Sequence, residues 1–240
     1  FQRGCYGCHL VKGYENEPKI GPNLTRISSK LDPSWMFRQV QDPSKNSPHS
    51  RMPSFYLTDE EAAAVTAYLI NASKDKFSVP AWSYSPPAGS AERGAALIKS
   101  IACLSCHTVD GQGVRYAPDL GLVNAKVKRE WLYQWVKNPR HYNAKARMPS
   151  FRLSDQEAAD IVAFLSGRGK KKEEPGLAAK LASASYMKNA TKQGLQVISE
   201  RGCYACHVIP GTERLQRIGA ELSSFATKKR FQLDFGDVEI

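Results

Sequence analysis

Apolar residues recur at helical spacing near the end of two segments of the chain. A capping-box sequence precedes each stripe, in residues 58–61 and in residues 154–157. The stripes consist of Val65, Tyr68 and Leu69 in the first segment and of Ile161, Phe164 and Leu165 in the second. Both segments are therefore predicted to be amphipathic helices with defined starts, called closing helices below.

Two more helices are predicted before later parts of the chain, over residues 92–101 and 192–200. Each contains one glycine, Gly94 in the first and Gly194 in the second. Because a glycine inside a helix costs stability, it is expected where another helix must approach closely. We expect these opening helices to cross the closing helices at the two glycines.

The whole pattern repeats at intervals of roughly 100 residues. Residues 51–55 recur letter for letter as residues 147–151, and Trp35 is answered by Trp131. The spacing predicts three repeats, over residues 1–72, 90–166 and 179–240. We expect the first repeat to lack its opening helix and the third repeat to lack its closing part.

Two segments of different composition separate the repeats. Residues 73–89 are rich in proline and serine, and residues 167–178 are dense in charge. Both are predicted to be linkers.

Composition identifies an ordinary globular chain of 240 residues, with 42% hydrophobic and 24% charged side chains. No apolar run reaches the length of a bilayer span. The formal net charge of +11 favours an acidic partner. Nothing beyond that charge indicates nucleic-acid binding.

The six cysteines all fall in one motif, Cys-x-x-Cys-His, which occurs three times. Two thiols at this spacing can add to the two vinyl groups of one porphyrin, and the following imidazole then ligates the iron. A zinc site, a thiol redox pair and a structural disulfide are the alternatives. Three motifs pair awkwardly around zinc, and a thiol pair has no use for the histidine. The motifs therefore predict three covalently bound haem c groups, at Cys5, Cys8 and His9, at Cys103, Cys106 and His107, and at Cys203, Cys206 and His207.

Two methionines are predicted to be the sixth ligands of the first two irons. Met52 and Met148 occupy the same place in the identical pentapeptide, and the proline that follows each favours an extended backbone. A thioether suits haem iron opposite a histidine. Core packing and, for the first repeat, ligation by His49 are the alternatives. The sixth ligand of the third iron is not predicted, because we expect Met187 to be a packing residue.

These residues resemble the class I c-type cytochromes, arranged in tandem as two complete-looking units and a truncated third. The resemblance implies an all-α fold in which each domain wraps a few helices around one haem. It also implies that the carbonyl groups of Pro22 and Pro118 accept a hydrogen bond from the ligating histidines. Ala220 replaces that proline in the third repeat.

Four further side chains are expected near the haems. Arg51 and Arg147 can pair with the propionates, with a solvated role as the alternative. Trp35 and Trp131 are expected to pack on the haem edge, or to donate the indole N–H to a propionate.

The expected function is electron transfer by a triheme c-type cytochrome, without enzymatic activity of its own. Its partners would be an acidic redox protein and other subunits of a respiratory membrane complex, or further members of a multihaem extracellular conduit. The alternative is a peroxidase-like haem enzyme with an open coordination site at the third iron. In the family resembled, haem attachment occurs outside the cytoplasm, so a periplasmic or extracellular location is expected.

Overall fold

The computed structural model describes residues 5–9, 11–14, 17–47, 50–73 and 86–229. Within these residues no helix has the length and hydrophobicity that a membrane crossing requires. Their α-helices are, in chain order, α1 (Ile27–Lys30), α2 (Pro33–Gln41), α3 (Pro43–Asn46), α4 (Asp59–Ser73), α5 (Ala91–Ser100), α6 (Val123–Lys126), α7 (Arg129–Lys137), α8 (Pro139–Tyr142), α9 (Asp155–Ser166), α10 (Leu177–Ala182), α11 (Ala184–Glu200) and α12 (Cys203–Cys206).

The predicted all-α fold is confirmed, with one small exception. Strands β1 (Thr108–Val109) and β2 (Gln112–Gly113) form an antiparallel hairpin after the second motif. The two residues between the strands, Asp110 and Gly111, both have positive φ angles, of 50° and 77°. An Asp-Gly pair favours this tight turn, so the hairpin had a signal in the sequence that the helical pattern obscured.

The second repeat pairs its opening helix with its closing helix. Helix α5 crosses α9 at Gly94, where a Cβ atom would collide with the carbonyl oxygen of Asp160. Ile98, one turn further along α5, is 2% exposed. The crossing that the glycine predicted is thus confirmed, because only a residue without a side chain allows this backbone approach.

A buried carboxylate fixes that crossing. Asp160 on α9 accepts hydrogen bonds from Arg93 Nε at 2.7 Å, from Arg93 Nη2 at 2.9 Å and from the Ser90 backbone N–H at 2.7 Å. The Arg93 guanidinium and these N–H groups hold the pKa of Asp160 far below its usual value. The carboxylate therefore ties both the cap and the first turn of α5 to α9.

Helix starts follow the predicted caps. In α9 the Ser154 side chain accepts from the Glu157 N–H, and the Glu157 carboxylate accepts from the Ser154 N–H. Thr58 and Glu61 make the same reciprocal pair at α4, with distances of 3.2 and 2.8 Å. All six residues of the two predicted stripes are buried, namely Val65, Tyr68, Leu69, Ile161, Phe164 and Leu165.

A helix of the first repeat packs against a helix of the third. Helix α11, the opening helix of the third repeat, packs on α4, the closing helix of the first. A Cβ atom on Gly194 would collide with the carbonyl oxygen of Ala64, as one on Gly94 would with Asp160. The predicted crossing at the glycine is therefore present, but its two helices come from repeats that the sequence division separates.

Helix α11 is longer than predicted, because it begins at Ala184 rather than near residue 192. The Ser183 hydroxyl caps it by accepting from the Tyr186 N–H at 3.3 Å. Met187 lies in this added part and packs against Ala64, Ala67 and Ala190, which confirms its packing role.

A reciprocal contact joins the first and second repeats. Leu31 and Val127 form an antiparallel bridge between the ends of α1 and α6. Lys30 Nζ lies 4.7 Å from the Trp131 ring centroid, and Lys126 Nζ lies 4.7 Å from that of Trp35. Burial, helped by the charge of Lys126, lowers the pKa of Lys30 to about 8.

Parts of both predicted linkers are packed. Ser73 belongs to α4, where its hydroxyl donates to the Leu69 carbonyl at 2.6 Å, so the helix extends into the predicted first linker. Residues 74–85 of that linker lie outside the described residues. The second linker is tied to the first repeat by Arg38 and Glu174, whose charged atoms are 2.9 Å apart. Helix α10 begins at Leu177, within the predicted second linker.

Candidate haem sites

The three Cys-x-x-Cys-His motifs adopt the same backbone turn. Residues Cys5–Gly7 and Cys103–Ser105 form 3-10 helices, and α12 covers the corresponding residues of the third motif. In each motif the histidine N–H donates to the carbonyl of the first cysteine, at 2.9, 3.0 and 3.1 Å in chain order. None of the six cysteines is in a disulfide bond. The turn therefore holds two thiols and one imidazole in a short, repeated geometry.

The second motif makes the histidine contact that the resemblance implied. His107 Nδ1 lies 2.6 Å from the carbonyl oxygen of Pro118. A carbonyl oxygen can only accept, so Nδ1 carries a proton, and in the neutral imidazole Nε2 then has the lone pair. The Nε2 atom of His107 is thereby prepared to ligate a metal ion.

In the first and third motifs the histidine makes this contact with a carbonyl from the other repeat. His207 Nδ1 lies 2.9 Å from the Pro22 carbonyl oxygen, and His9 Nδ1 lies 2.7 Å from that of Ala220. Pro22 is therefore an acceptor, as predicted, but it serves the histidine of the third motif and not its own. The physical reason is that the segment after the first motif packs on the third motif, and the segment after the third motif packs on the first.

Backbone hydrogen bonds confirm the exchange. Gly21 N donates to Cys206 O at 2.8 Å, and Gly219 N donates to Cys8 O at 2.7 Å. A Cβ atom on Gly21 would lie 2.5 Å from His207 Cε1, and one on Gly219 would lie 2.5 Å from His9 Nδ1. Glycine at these two positions therefore allows each segment to pass directly over the other motif's imidazole.

Burial sets the protonation states in the third motif. It raises the pKa of the Cys203 thiol to about 11 and lowers the pKa of His207, which the Pro22 carbonyl opposes. The imidazole is thus held neutral at neutral pH, as a metal ligand must be.

Met148 is positioned by a residue that the sequence did not single out. Trp135 Nε1 lies 3.1 Å from Met148 Sδ, and its indole stacks on Trp131 with centroids 5.1 Å apart. Trp131 and Trp135 stand four residues apart on α7, a helical spacing that could have identified them as one face.

The first repeat holds its methionine differently. Met52 is half-buried, and its backbone N–H donates to the Ser50 hydroxyl at 3.2 Å. Gln39, at the position of Trp135, donates to the same hydroxyl at 3.3 Å. His49, the predicted alternative ligand, lies outside the described residues. Iron ligation by Met52 and Met148 remains a prediction.

The four predicted propionate neighbours divide by burial. Arg51 and Arg147 are exposed, Trp35 is half-buried, and Trp131 is 5% exposed. Trp131 Nε1 is buried without a well-formed hydrogen bond and makes only a weak contact with the Tyr142 hydroxyl. Buried indole N–H groups usually find an acceptor, so Trp131 fits a site that a propionate oxygen would complete.

The donor set as a whole fits haem c. Each motif offers two thiols and one imidazole with a free Nε2. Ile20, Tyr116 and Ile218 occupy the same position in the three repeats, and they are 55%, 77% and 56% exposed. Exposed apolar residues that recur beside each imidazole are typical of a surface that an apolar group covers.

Known proteins similar to this chain include components of an enzyme. The C subunit of nitric oxide reductase from Stutzerimonas stutzeri is 31% identical over 84 residues, which cover 32% of this chain and 58% of the relative. Its counterpart from Paracoccus denitrificans is 34% identical over 80 residues, covering 28% of this chain and 51% of the relative. The chain thus matches about half the length of these curated relatives. No solved structure matches the chain.

These relatives correct one expectation. The sequence predicted a protein without enzymatic activity of its own, yet the similar proteins are named as components of nitric oxide reductase. That prediction was wrong because an electron carrier and a component of an enzyme share the same haem-binding residues, and residues alone do not separate the two.

The family itself is shown by a longer match. The cytochrome c family model matches residues 1–73 and 91–168, which contain the first two motifs and both predicted methionine ligands. These segments make up more than half of the chain, and the third repeat lies outside them. Together with the helical fold and the histidine contacts, the match shows that the chain belongs to the cytochrome c family.

Proposed function

We propose that the chain is a triheme c-type cytochrome that transfers electrons between its haems and a redox partner. The observation that carries the proposal is the repeated histidine geometry. In all three motifs Nδ1 meets a backbone carbonyl, at 2.7, 2.6 and 2.9 Å in chain order. Each imidazole is thereby fixed with Nε2 free for iron.

The residues divide the work of holding the cofactor. Haem c supplies one-electron chemistry when bound. The six thiols would anchor it, and the three histidines together with Met52 and Met148 would supply ligands to the iron. The Trp131 indole N–H would donate to a propionate, and the Arg51 and Arg147 guanidinium groups would pair with other propionates.

Contacts between the repeats support electron passage within the chain. Gly7 and Ala205 bring the first and third motifs against each other, since a Cβ on Gly7 would lie 2.7 Å from the Ala205 carbonyl oxygen. The bridge between Leu31 and Val127 joins the first and second repeats. The three sites thus belong to one packed structure.

We further propose that the chain serves an enzyme complex as its electron-transferring component, in a respiratory chain. The similarity to the C subunit of nitric oxide reductase supports this role. The net charge of +11 supports an acidic docking surface on the partner, even after the haem propionates offset part of it. Association is then expected to weaken as ionic strength rises.

The proposed location is the periplasm or the cell exterior. The three motifs support it, because in c-type cytochromes haem is attached outside the cytoplasm. Accessibility of the chain to a protease added to intact spheroplasts tests this location.

The proposed function is tested by counting electrons. Coulometric titration of the purified chain should take up three electrons per molecule, with spectra of low-spin haem at the second motif. A Cys103→Ser, Cys106→Ser variant serves as the control and should take up two. Uptake of fewer than three electrons by the unaltered chain would contradict the proposal.

A further inference from the structure

We propose that His207 and Met52 ligate the same haem iron, so that one complete cytochrome unit is assembled from the third and first repeats. The inference rests on the proposed function for the presence of haem c at the third motif. It assigns the missing sixth ligand of the third iron, and it does so from residues 155 positions apart in the chain.

Helix packing is the first support. In the second repeat α5 leads into the motif and crosses α9, which follows the methionine. Helix α11 leads into the third motif and crosses α4, which follows Met52. Gly194 meets the Ala64 carbonyl in the second crossing as Gly94 meets the Asp160 carbonyl in the first. The third motif therefore stands on α4 as the second motif stands on α9.

The segment after the motif is the second support. In the second repeat Ala117 N donates to Cys106 O at 2.7 Å, and Leu120 N donates to Thr108 O at 2.8 Å. At the third motif the corresponding bonds come from the first repeat, from Gly21 N to Cys206 O at 2.8 Å and from Leu24 N to Val208 O at 2.9 Å. The first repeat thus supplies the segment that packs over His207.

Chain order completes the match. After Pro118 the second repeat continues through α6, α7 and α8 to Met148 and then α9. After Pro22 the first repeat continues through α1, α2 and α3 to Met52 and then α4. Since both ends of this series are docked at the third motif, Met52 would serve the iron held by His207 as Met148 would serve the iron held by His107.

Side chains fasten the same junction. Tyr68 on α4 donates from its hydroxyl to the Pro210 carbonyl at 2.6 Å. Lys180 Nζ lies 2.5 Å from Glu60 Oε1, and Arg201 Nη2 lies 3.2 Å from Glu61 Oε1. Ile198 and Ile209, on either side of the third motif, are 0% and 2% exposed. The contact between the first and third repeats therefore has buried apolar residues, with ion pairs at its edge.

The pairing changes which iron needs another ligand. One thioether sulfur binds one iron, so Met52 is withheld from His9. The third iron then has a sixth ligand and no open coordination site. The iron at the first motif, where the Ala220 carbonyl holds the His9 imidazole, is left without a methionine ligand.

Methionine-ligated haem has a charge-transfer band that reports the pairing. In a Met148→Ala background the band of Met52 alone should remain. Further removal of the third attachment, by Cys203→Ser with Cys206→Ser, should abolish it. Removal of the first, by Cys5→Ser with Cys8→Ser, should leave its full amplitude. The opposite result, or no band in the background variant, would overturn the pairing.

Peptide masses separate this failure from failure of the proposed function. In the unaltered chain the peptide that contains Cys203 should carry haem. If it carries none, the triheme proposal fails. If this peptide carries haem, and the charge-transfer band survives when Cys203 and Cys206 are replaced by serine, only the pairing of His207 with Met52 fails.

A second measurement does not depend on haem spectra. Zero-length carbodiimide cross-linking of the full chain should join Lys180 to Glu60, in a yield similar to that for Lys137 and Asp155 within the second repeat, which lie 2.8 Å apart. Glu60→Gln should remove the first product and spare the second. Formation of the second product alone in the unaltered chain would contradict the assembly.

Discussion

His207 Nδ1 and the Pro22 carbonyl oxygen lie 2.9 Å apart, although the two residues are 185 positions apart in the chain. The same contact in the second repeat, between His107 and Pro118, spans 11 residues. One local geometry is thus built once within the second repeat and twice between the first and third repeats, where His9 meets the Ala220 carbonyl at 2.7 Å. The surroundings of each histidine are therefore defined by the spatial arrangement and not by neighbours in sequence.

Enlarging Gly94 should separate α5 from α9. A Gly94→Val side chain would collide with the Asp160 carbonyl, and the expected loss of stability is about 1–3 kcal/mol or more, as for overpacked cores. Ala96→Val on the exposed side of α5 is the control, with a cost of roughly 0.5 kcal/mol from helix propensity. Guanidinium unfolding followed by tryptophan fluorescence measures both. Equal midpoints for the two variants would refute the close crossing.

Asp160 should make the stability of the second repeat depend on acid. The hydrogen bonds from Arg93 depress the pKa of Asp160, so the unfolded chain takes up the proton first as pH falls. The stabilisation is complete above about pH 4 and is lost below it. Asp160→Asn should flatten this acid dependence, measured as urea midpoints at pH 6 and pH 3.

Asp155→Asn is the matched control for that measurement, because Asp155 stands on the same helix with its side chain 46% exposed. It should keep most of the acid dependence. An unchanged slope in Asp160→Asn would show that the ion pair with Arg93 does not form.

Lys30 should act in the alkaline range. Its pKa of about 8 lies below that of an unfolded lysine, so the folded chain releases its proton first and stability rises between about pH 8 and pH 10. After discounting for partial exposure and for the contact with the Trp131 ring, the expected gain is about 1 kcal/mol. Lys30→Met should remove the rise, and Lys99→Met, at an exposed site, should retain it. A rise of the same size in Lys30→Met would contradict this assignment.

Trp135 should hold Met148 against exchange. Trp135→Phe removes the indole donor 3.1 Å from Met148 Sδ, a loss of roughly 1 kcal/mol. Imidazole should then displace the methionine at about fivefold lower concentration, followed as loss of the methionine charge-transfer band. Tyr133→Phe, on the same helix with its hydroxyl donating to Asp155 Oδ1 at 3.2 Å, should bind imidazole as the unaltered chain does. Identical titrations for Trp135→Phe and the unaltered chain would exclude this role.

Much of the fold could be predicted because it depends on interactions between residues that are close in sequence. The caps at Thr58 and Ser154, the stripes on the closing helices and the crossing at Gly94 follow from short stretches of sequence. The acceptor role of Pro118 was also predicted, through the family resemblance. Each of these features depends on residues within one repeat.

The pairing of the repeats could not be predicted in the same way. Gly194 indicates that some closing helix must approach α11, but α4 and α9 offer the same kind of surface. Which helix is chosen depends on contacts such as Tyr68 with Pro210 and Lys180 with Glu60, which no periodic pattern encodes. The role of Trp135 was missed for a related reason, since Gln39 stands at its position in the first repeat.

The proposed function depends on covalent attachment of haem at all three motifs, which mass spectrometry of the acid-acetone-extracted chain measures. We expect a polypeptide that stays coloured and carries the mass of three haem groups, one on each of the peptides containing Cys5, Cys103 and Cys203. A colourless chain with the mass of the bare polypeptide would contradict it.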